Sequence, residues 1–113
     1  MIAQNLAVLF VLYVLVRWVY LSHLRKTELR KTMAVLKRAG FKIYGSSGCG
    51  WCKKQLKDLG EFSDTLPFVD CAANPGECSQ LGITGFPTWV DAKGTRYPGF
   101  KKLTDLVMMA QRA

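Results

Sequence analysis

Apolar residues dominate the first part of this chain and recur periodically after it. Residues 2–21 include twelve Leu, Ile, Val or Phe, and a helix of this length is about 30 Å long, which matches the hydrocarbon thickness of a bilayer. Arg17 lies near the end of the run, where its long side chain can reach the headgroups. Trp18 and Tyr20 fall where interfacial aromatic residues are common. The pattern predicts a transmembrane anchor in residues 1–21.

Two other interpretations of this run fit the sequence less well. A cleaved signal peptide has a positive N-terminal region and a small-residue cleavage site, and we find neither in the run. A buried or dimerising core helix interleaves polar residues, whereas the only polar group between Leu6 and Val16 is the hydroxyl of Tyr13. We therefore expect a single-pass membrane protein.

The next segment, residues 22–40, is basic and has a helical period. Leu29, Met33 and Leu36 recur at spacings of four and three residues, which predicts a basic amphipathic helix or linker. Gly40 is suited to end such a helix. We expect the apolar stripe to pack on the following domain, while the basic face lies near anionic headgroups.

Residues 41–113 carry the alternating signals of a small α/β domain. A strand, a turn and a helix come first, followed by a second strand, a short helix, a hairpin and a final helix. The predicted strands are Phe41–Tyr44, Leu66–Asp70, Thr88–Asp91 and Thr95–Tyr97, and the predicted helices are Cys49–Leu59, Pro75–Leu81 and Lys101–Arg112. This order predicts a four-stranded mixed sheet flanked by helices on both faces.

Charge narrows the class of partner. The formal net charge is +8, and residues 1–40 hold seven of the basic residues but only one acidic residue. Positive charge beside an apolar run suits a membrane surface better than nucleic acid. No motif of a nucleic-acid-binding fold accompanies it. We expect contact with the membrane through residues 2–21 and no nucleic-acid binding.

Cys49 and Cys52 carry the clearest chemistry in the sequence. They follow a Gly/Ser turn and lie three residues apart at the predicted start of a helix, so their sulfurs can close a small disulfide ring. Unpaired N–H groups and the positive end of the helix dipole stabilise a thiolate there. Such a thiolate is a nucleophile at neutral pH. We predict that Cys49 attacks a substrate disulfide and that Cys52 resolves the mixed disulfide.

The segment Gly82–Trp89, with Phe86-Pro87-Thr88-Trp89 at its end, adds a second motif about 35 residues after Cys52. Together with the cysteine pair it resembles the thioredoxin-like superfamily. Within that superfamily the sequence is most similar to the thioredoxin-like domain associated with vitamin K epoxide reductase homologues. The resemblance implies a cis Phe86–Pro87 bond opposite the sulfurs. It implies that Trp51, Phe86 and Pro87 bind substrate, whereas Trp89 fits either that surface or the core.

The sequence also departs from thioredoxin itself. Ile43 occupies the position of a buried acid that is thought to help deprotonate the resolving cysteine, and Gly50-Trp51 replaces Gly-Pro between the cysteines. We find no additional N-terminal strand. These differences indicate a minimal, glutaredoxin-sized domain in which residues 22–40 cover one face of the sheet. They favour an oxidant or a dedicated carrier over a general reductase.

Cys71 and Cys78 leave several alternatives open. The vitamin K epoxide reductase-associated domains carry a similar extra pair, which could form a structural disulfide, act as a redox relay, or remain as two buried thiols. With Cys49 and Cys52, the pair could instead form a four-thiolate zinc site. The spacing of the second pair is loose for zinc, and a zinc site gives the Phe86-Pro87 segment no role.

Taken together, the sequence predicts a membrane-anchored thiol–disulfide oxidoreductase. It would act on protein thiols and disulfides, or on one dedicated redox partner, without a dissociable cofactor or a metal. The alternative is a non-catalytic membrane-tethered module, either thioredoxin-like or zinc-stabilised. Basic residues after the anchor favour a cytosolic domain, whereas the extra cysteine pair favours a lumenal or periplasmic one.

Overall fold

The structure is a computed structural model that describes the backbone of residues 2–113 and the side chains of residues 3–113. It contains four α-helices, four strands and a 3₁₀ turn at Gly60–Phe62 within these residues. The helices are α1 (Ile2–Arg38), α2 (Gly50–Leu59), α3 (Pro75–Gln80) and α4 (Leu103–Arg112), and the strands are β1 (Lys42–Gly45), β2 (Phe68–Asp70), β3 (Thr88–Val90) and β4 (Arg96–Pro98).

The predicted anchor and the predicted basic helix form one continuous helix, α1, of 37 residues. No Gly or Pro interrupts it, so its backbone hydrogen bonds continue through the change from apolar to basic sequence. The large apolar side chains from Leu6 to Leu21 are exposed. From Ala3 onward the helix is long and apolar enough to cross a membrane, by length and composition.

The sheet has the strand order β2-β1-β3-β4. Strand β1 pairs in parallel with β2 and antiparallel with β3, and β3 pairs antiparallel with β4. This is the mixed sheet of a thioredoxin-like fold, which confirms the predicted fold class. Strand β2 begins at Phe68 rather than Leu66, and α4 begins at Leu103 rather than Lys101.

The larger core lies on the face of the sheet covered by α1, α2 and α4. The apolar stripe of α1 is buried there, with Met33 and Leu36 exposing 1% and 0% of their surface. Its other fully enclosed members include Phe41, Ile43, Leu59, Leu66, Trp89, Leu106 and Met109. The expectation that residues 22–40 cover one face of the sheet is therefore confirmed.

The opposite face of the sheet is covered by α3. Tyr44 and Val90 pack there with Cys71 and Cys78, and the Tyr44 hydroxyl donates a hydrogen bond of 2.8 Å to Glu77 Oε1. Cys71 and Cys78 form a disulfide, so the alternative of two free thiols is wrong. A four-thiolate zinc site is not compatible with this disulfide, since the bridge leaves Cys71 and Cys78 without thiolates to bind zinc.

Candidate active site

Strand β1 and the turn after it place Cys49 at the N-terminus of α2. Cys49 is the N-cap residue, with extended backbone angles of φ −81° and ψ 120°. Its backbone N–H donates to the Ser46 carbonyl at 3.0 Å. Its sulfur accepts the backbone N–H of Cys52 at 3.2 Å, so the side chain satisfies one of the donors left free at the start of the helix.

The two cysteines sit in different environments. Cys49 is half-buried, whereas Cys52 exposes only 2% of its surface. The hydrogen bond from the Cys52 thiol lowers the pKa of Cys49, and the N–H groups of Cys52 and Trp51 lower it further, against the effect of burial. Burial and the hydrogen bond to Cys49 raise the pKa of Cys52 to about 11. The outer sulfur is therefore the better nucleophile, and the inner one keeps its proton.

This asymmetry predicts the pH dependence of alkylation. In the reduced protein, Cys49 should be modified by iodoacetamide at neutral pH much faster than Cys52, because only the thiolate reacts. The largest cause of the low Cys49 pKa is the thiol of Cys52. Cys52→Ala should therefore raise the pH midpoint of Cys49 alkylation relative to Cys52→Ser, whose hydroxyl still donates. Peptide mass mapping across a pH series measures the alkylation of each cysteine and the Cys49 midpoint in each variant. Equal midpoints in the two variants would contradict the role of the Cys52 thiol in lowering the Cys49 pKa.

The loop before β3 lies opposite the cysteine pair. The Phe86–Pro87 bond is cis, as the resemblance implies. The Phe86 carbonyl accepts a hydrogen bond from Cys49 Sγ at 3.7 Å. The Pro87 carbonyl accepts the backbone N–H of Gly99 at 2.8 Å, and Thr88 Oγ1 donates to the Gly85 carbonyl at 2.7 Å. These bonds fix the loop so that its backbone faces the exposed sulfur.

Aromatic and basic side chains form the rim around Cys49. Trp51 exposes 58% of its surface and Phe86 exposes 38%. The Trp51 ring lies 5.9 Å from the Phe100 ring, and Lys54 Nζ lies 5.3 Å from the centroid of each. The sequence analysis named Trp51 and Phe86 but missed Phe100. Trp89 belongs to the core, where it is fully buried.

Gln55 is a second residue that the sequence analysis missed. It is 1% exposed, and its amide holds the backbone of Lys101 from both sides. Nε2 donates to the Lys101 carbonyl at 3.0 Å, and Oε1 accepts the Lys101 N–H at 2.7 Å. The amide thereby ties the segment that carries Phe100 to the helix that carries Trp51. Helix α4 begins later than predicted because Lys102 is its N-cap residue.

Gly45 is the third missed residue, and it makes room for the inner cysteine. A Cβ added there would lie 2.7 Å from Cys52 Sγ and 2.8 Å from Phe68 Cζ, closer than packed atoms approach. Glycine at the end of β1 therefore lets the buried sulfur lie directly against the backbone. A glycine before a Cys-x-x-Cys motif is a signal that sequence reading could have used.

Gly45→Ala should accordingly destabilise the reduced domain by about 1–3 kcal/mol, the usual cost of overpacking a core. It should also disturb the hydrogen bond between the cysteines and slow closure of their disulfide. Gly48→Ala is the matched control, because its added Cβ has no heavy atom of the described chain within 4 Å beyond its own chain neighbours. Denaturation and the rate of ring closure measure the two effects. A Gly45→Ala protein that matches Gly48→Ala in both would contradict this role.

The fold and the cysteine pair together indicate a class of protein. A thioredoxin-like fold with two sulfurs at the tip of a helix fits a thiol–disulfide oxidoreductase. No family model matches the chain.

The solved structures that are similar to the chain include two of low sequence identity. A chain titled "Structure of a malarial protein" is 17% identical with a TM-score of 0.54, over 64% of this chain and 92% of that one. The first thioredoxin domain of mouse protein disulfide-isomerase A4 is 18% identical with a TM-score of 0.46, over 64% of this chain and 60% of that one. The first of these similarities supports the fold.

Proposed function

We propose that the protein is a membrane-anchored thiol–disulfide oxidoreductase that exchanges disulfides with protein thiols through Cys49 and Cys52. The observation that carries this proposal is the environment of the Cys49 sulfur. It is partly open to solvent, it accepts an N–H at the start of α2, and it lies against the Phe86 carbonyl. A sulfur that is stabilised as a thiolate, and that lies beside the backbone of the Phe86–Pro87 loop, is suited to attack an extended substrate.

The exchange proceeds in two displacements. The Cys49 thiolate bonds to one sulfur of the substrate disulfide, and the other substrate sulfur leaves as a thiolate and takes a proton. Cys52 then loses its proton and attacks Cys49 Sγ, which releases the second substrate thiolate. The substrate gains two electrons, and Cys49 and Cys52 become a disulfide. The same steps in reverse oxidise a substrate dithiol.

Membrane anchoring is part of the proposal and is supported by α1. None of the apolar window of this helix is buried within the protein. An apolar surface of that size is unstable in water, and a bilayer is the environment that its length matches.

We assign Cys71 and Cys78 a structural role. The pair exposes 8% and 5% of its residue surface and packs with Tyr44 and Val90 on the α3 face of the sheet. Cys52 belongs to α2, which covers the opposite face. A buried bridge that is separated from the reactive pair by the sheet is suited to hold α3 rather than to pass electrons. Kinship with the vitamin K epoxide reductase-associated domains remains part of this proposal.

Trapping tests the proposed function directly. A Cys52→Ser protein cannot resolve its mixed disulfide, so in native membranes it should accumulate a covalent adduct that dithiothreitol releases. The matched control is Cys49→Ser with Cys52→Ser, which should trap nothing. An absence of reducible adducts, combined with no exchange on a small aromatic disulfide in detergent, would favour the non-catalytic tethered module.

A further inference from the structure

A basic cavity lies beside the part of α1 that follows the predicted anchor. Its lining residues come from α1, from α2 and from the segment at the start of α4, and they include Arg25, Lys54, Asp58, Phe100, Lys102 and Leu103. The cavity has a volume of about 450 Å³, which falls within the range of about 300–1,000 Å³ that is typical of small-ligand sites. Folding, rather than a run of basic sequence, brings these charges together.

The charge of the cavity suits an anion. Its acidic member is Asp58, and its basic members are Arg25, Lys54 and Lys102, so positive charge is in excess. Within residues 3–113, the ion pair that the structure describes joins Lys26 to Glu61, so no ion pair there neutralises the basic groups of the cavity. Phosphate oxygens are well suited to such a cluster of guanidinium and ammonium groups.

Two sets of contacts hold the basic groups in place. Lys54 Nζ lies 5.3 Å from the ring centroids of both Trp51 and Phe100, and a cation–π contact of this kind fixes the ammonium without cancelling its charge. The buried Gln55 amide binds both backbone groups of Lys101, and so fixes the backbone of the residue that precedes the last basic group. A preorganised cluster loses less side-chain entropy when it binds a ligand.

The cavity lies at the depth of lipid headgroups. Arg25 follows Leu21, the last residue of the predicted anchor, by four residues, or about 6 Å of helix. A bilayer measures about 40–45 Å with its headgroups and about 30 Å without them, so each headgroup layer is about 5–8 Å thick. With Leu21 at the hydrocarbon boundary, Arg25 falls within this layer, where the lipid phosphates lie.

An apolar face of α1 leads from the cavity into the hydrocarbon. Leu21 and Trp18 precede Arg25 by four and seven residues, so all three lie on one face of the helix. Leu21 exposes 51% and Trp18 exposes 67% of its surface. The acyl chains of a lipid whose phosphate occupies the cavity would pack along this face. A free phosphate or an acidic peptide has no part that would use it, so the arrangement favours a phospholipid.

From the charge, the depth and this apolar face, and building on the membrane anchoring proposed above, we propose that the cavity binds the phosphate of one anionic phospholipid. The Arg25 guanidinium can donate two parallel hydrogen bonds to phosphate oxygens, and Lys54 and Lys102 add ammonium charges. Zwitterionic phosphatidylcholine carries a choline cation, which the excess of positive charge disfavours. The bound lipid gives the domain a second attachment to the leaflet, in addition to α1.

Native mass spectrometry of the full chain in detergent tests the site, because it counts the lipids that each chain retains. The probe is dioleoylphosphatidylglycerol, and dioleoylphosphatidylcholine is the zwitterionic reference. One phosphatidylglycerol per chain should bind several-fold more tightly than phosphatidylcholine. Each basic group near an anionic lipid contributes about fivefold to affinity, so Lys54→Gln with Lys102→Gln should weaken phosphatidylglycerol binding about 30-fold. Equal affinity for the two lipids would overturn the proposal.

The matched control is Lys53→Gln with Lys57→Gln. Both residues are exposed on α2 and neither lines the cavity, so this variant loses the same charge outside the site and should keep the parent affinity for phosphatidylglycerol. Equal weakening of the two double variants would mean that the lipid responds to net charge alone, and it would overturn the site.

Competition distinguishes the lipid from other anions. Neither inorganic phosphate nor a polyglutamate peptide should displace phosphatidylglycerol when it is added at the concentration of the lipid. Displacement by either would assign the cavity to a free anion or to an acidic peptide and overturn the proposal. Reduction of a small disulfide by the same preparation separates this site from the proposed function. Exchange without selective lipid binding would refute the site alone, and selective lipid binding without exchange would refute the function alone.

Discussion

Cys49→Ser should abolish disulfide exchange while leaving the fold intact. Serine is similar in size to cysteine, and Cys49 is half-buried at the surface, so little packing is lost. The hydroxyl still accepts the N–H of Cys52, since serine is a favoured N-cap residue. A hydroxyl is not ionised at neutral pH, however, and cannot form the mixed disulfide. Loss of the nucleophile should therefore lower the exchange rate by at least about 10³-fold.

The measurement is the reduction rate of a small disulfide by the purified full chain in detergent. Ser47→Ala serves as the matched control, because Ser47 is an exposed neighbour in the same turn and should leave the rate unchanged. Near-native circular dichroism of both variants confirms that the fold is retained. Substantial exchange activity in the Cys49→Ser protein would show that Cys49 is not the nucleophile.

Leu36→Ala should cause the largest loss of stability among simple variants of α1. Leu36 is fully buried between α1 and the sheet, and truncation of a buried leucine to alanine costs about 2–5 kcal/mol through lost burial and the remaining cavity. Helix propensity does not add to this cost, since alanine is the best helix former. Urea denaturation of the detergent-solubilised protein measures the free energy of unfolding.

Lys37→Ala is the paired control, because its side chain is exposed one residue further along the same helix. Its effect should stay within about 0.5 kcal/mol of the parent protein. Equal stability of the two variants would contradict the packing of Leu36 in the core. It would mean that residues 22–40 act as a linker to a domain confined to residues 41–113. A large difference would place the second half of α1 within the domain.

Local patterns predicted most of the secondary structure and the fold class. The periodic apolar residues Leu29, Met33 and Leu36 indicated a helix that packs on the domain, and they are buried there. The cysteine spacing and the Phe86-Pro87 segment indicated the two halves of the candidate site, which the structure brings together through the contact of Cys49 Sγ with the Phe86 carbonyl. Each of these features is encoded within a short stretch of chain, so it can be predicted directly from the sequence.

The features that sequence reading missed depend on contacts between distant segments. Gly45 matters because the sulfur of Cys52 lies against it, and Phe100 joins the rim because its ring lies under Lys54, which belongs to the distant helix α2. No periodicity records such contacts. The continuity of α1 was missed for a different reason, since a change in composition from apolar to basic was interpreted as a boundary between elements.

The loop between β4 and α4 depends on two hydrogen bonds from the side chain of Gln55. Its amide supplies both a donor and an acceptor to one peptide unit, and among side chains of this length only glutamine has both. Deamidation to glutamate would turn a negative oxygen toward the Lys101 carbonyl, and methionine would leave two backbone groups without partners at a cost of about 1–3 kcal/mol each. Chemical ageing of this one amide would therefore loosen the aromatic edge of the site without touching either sulfur.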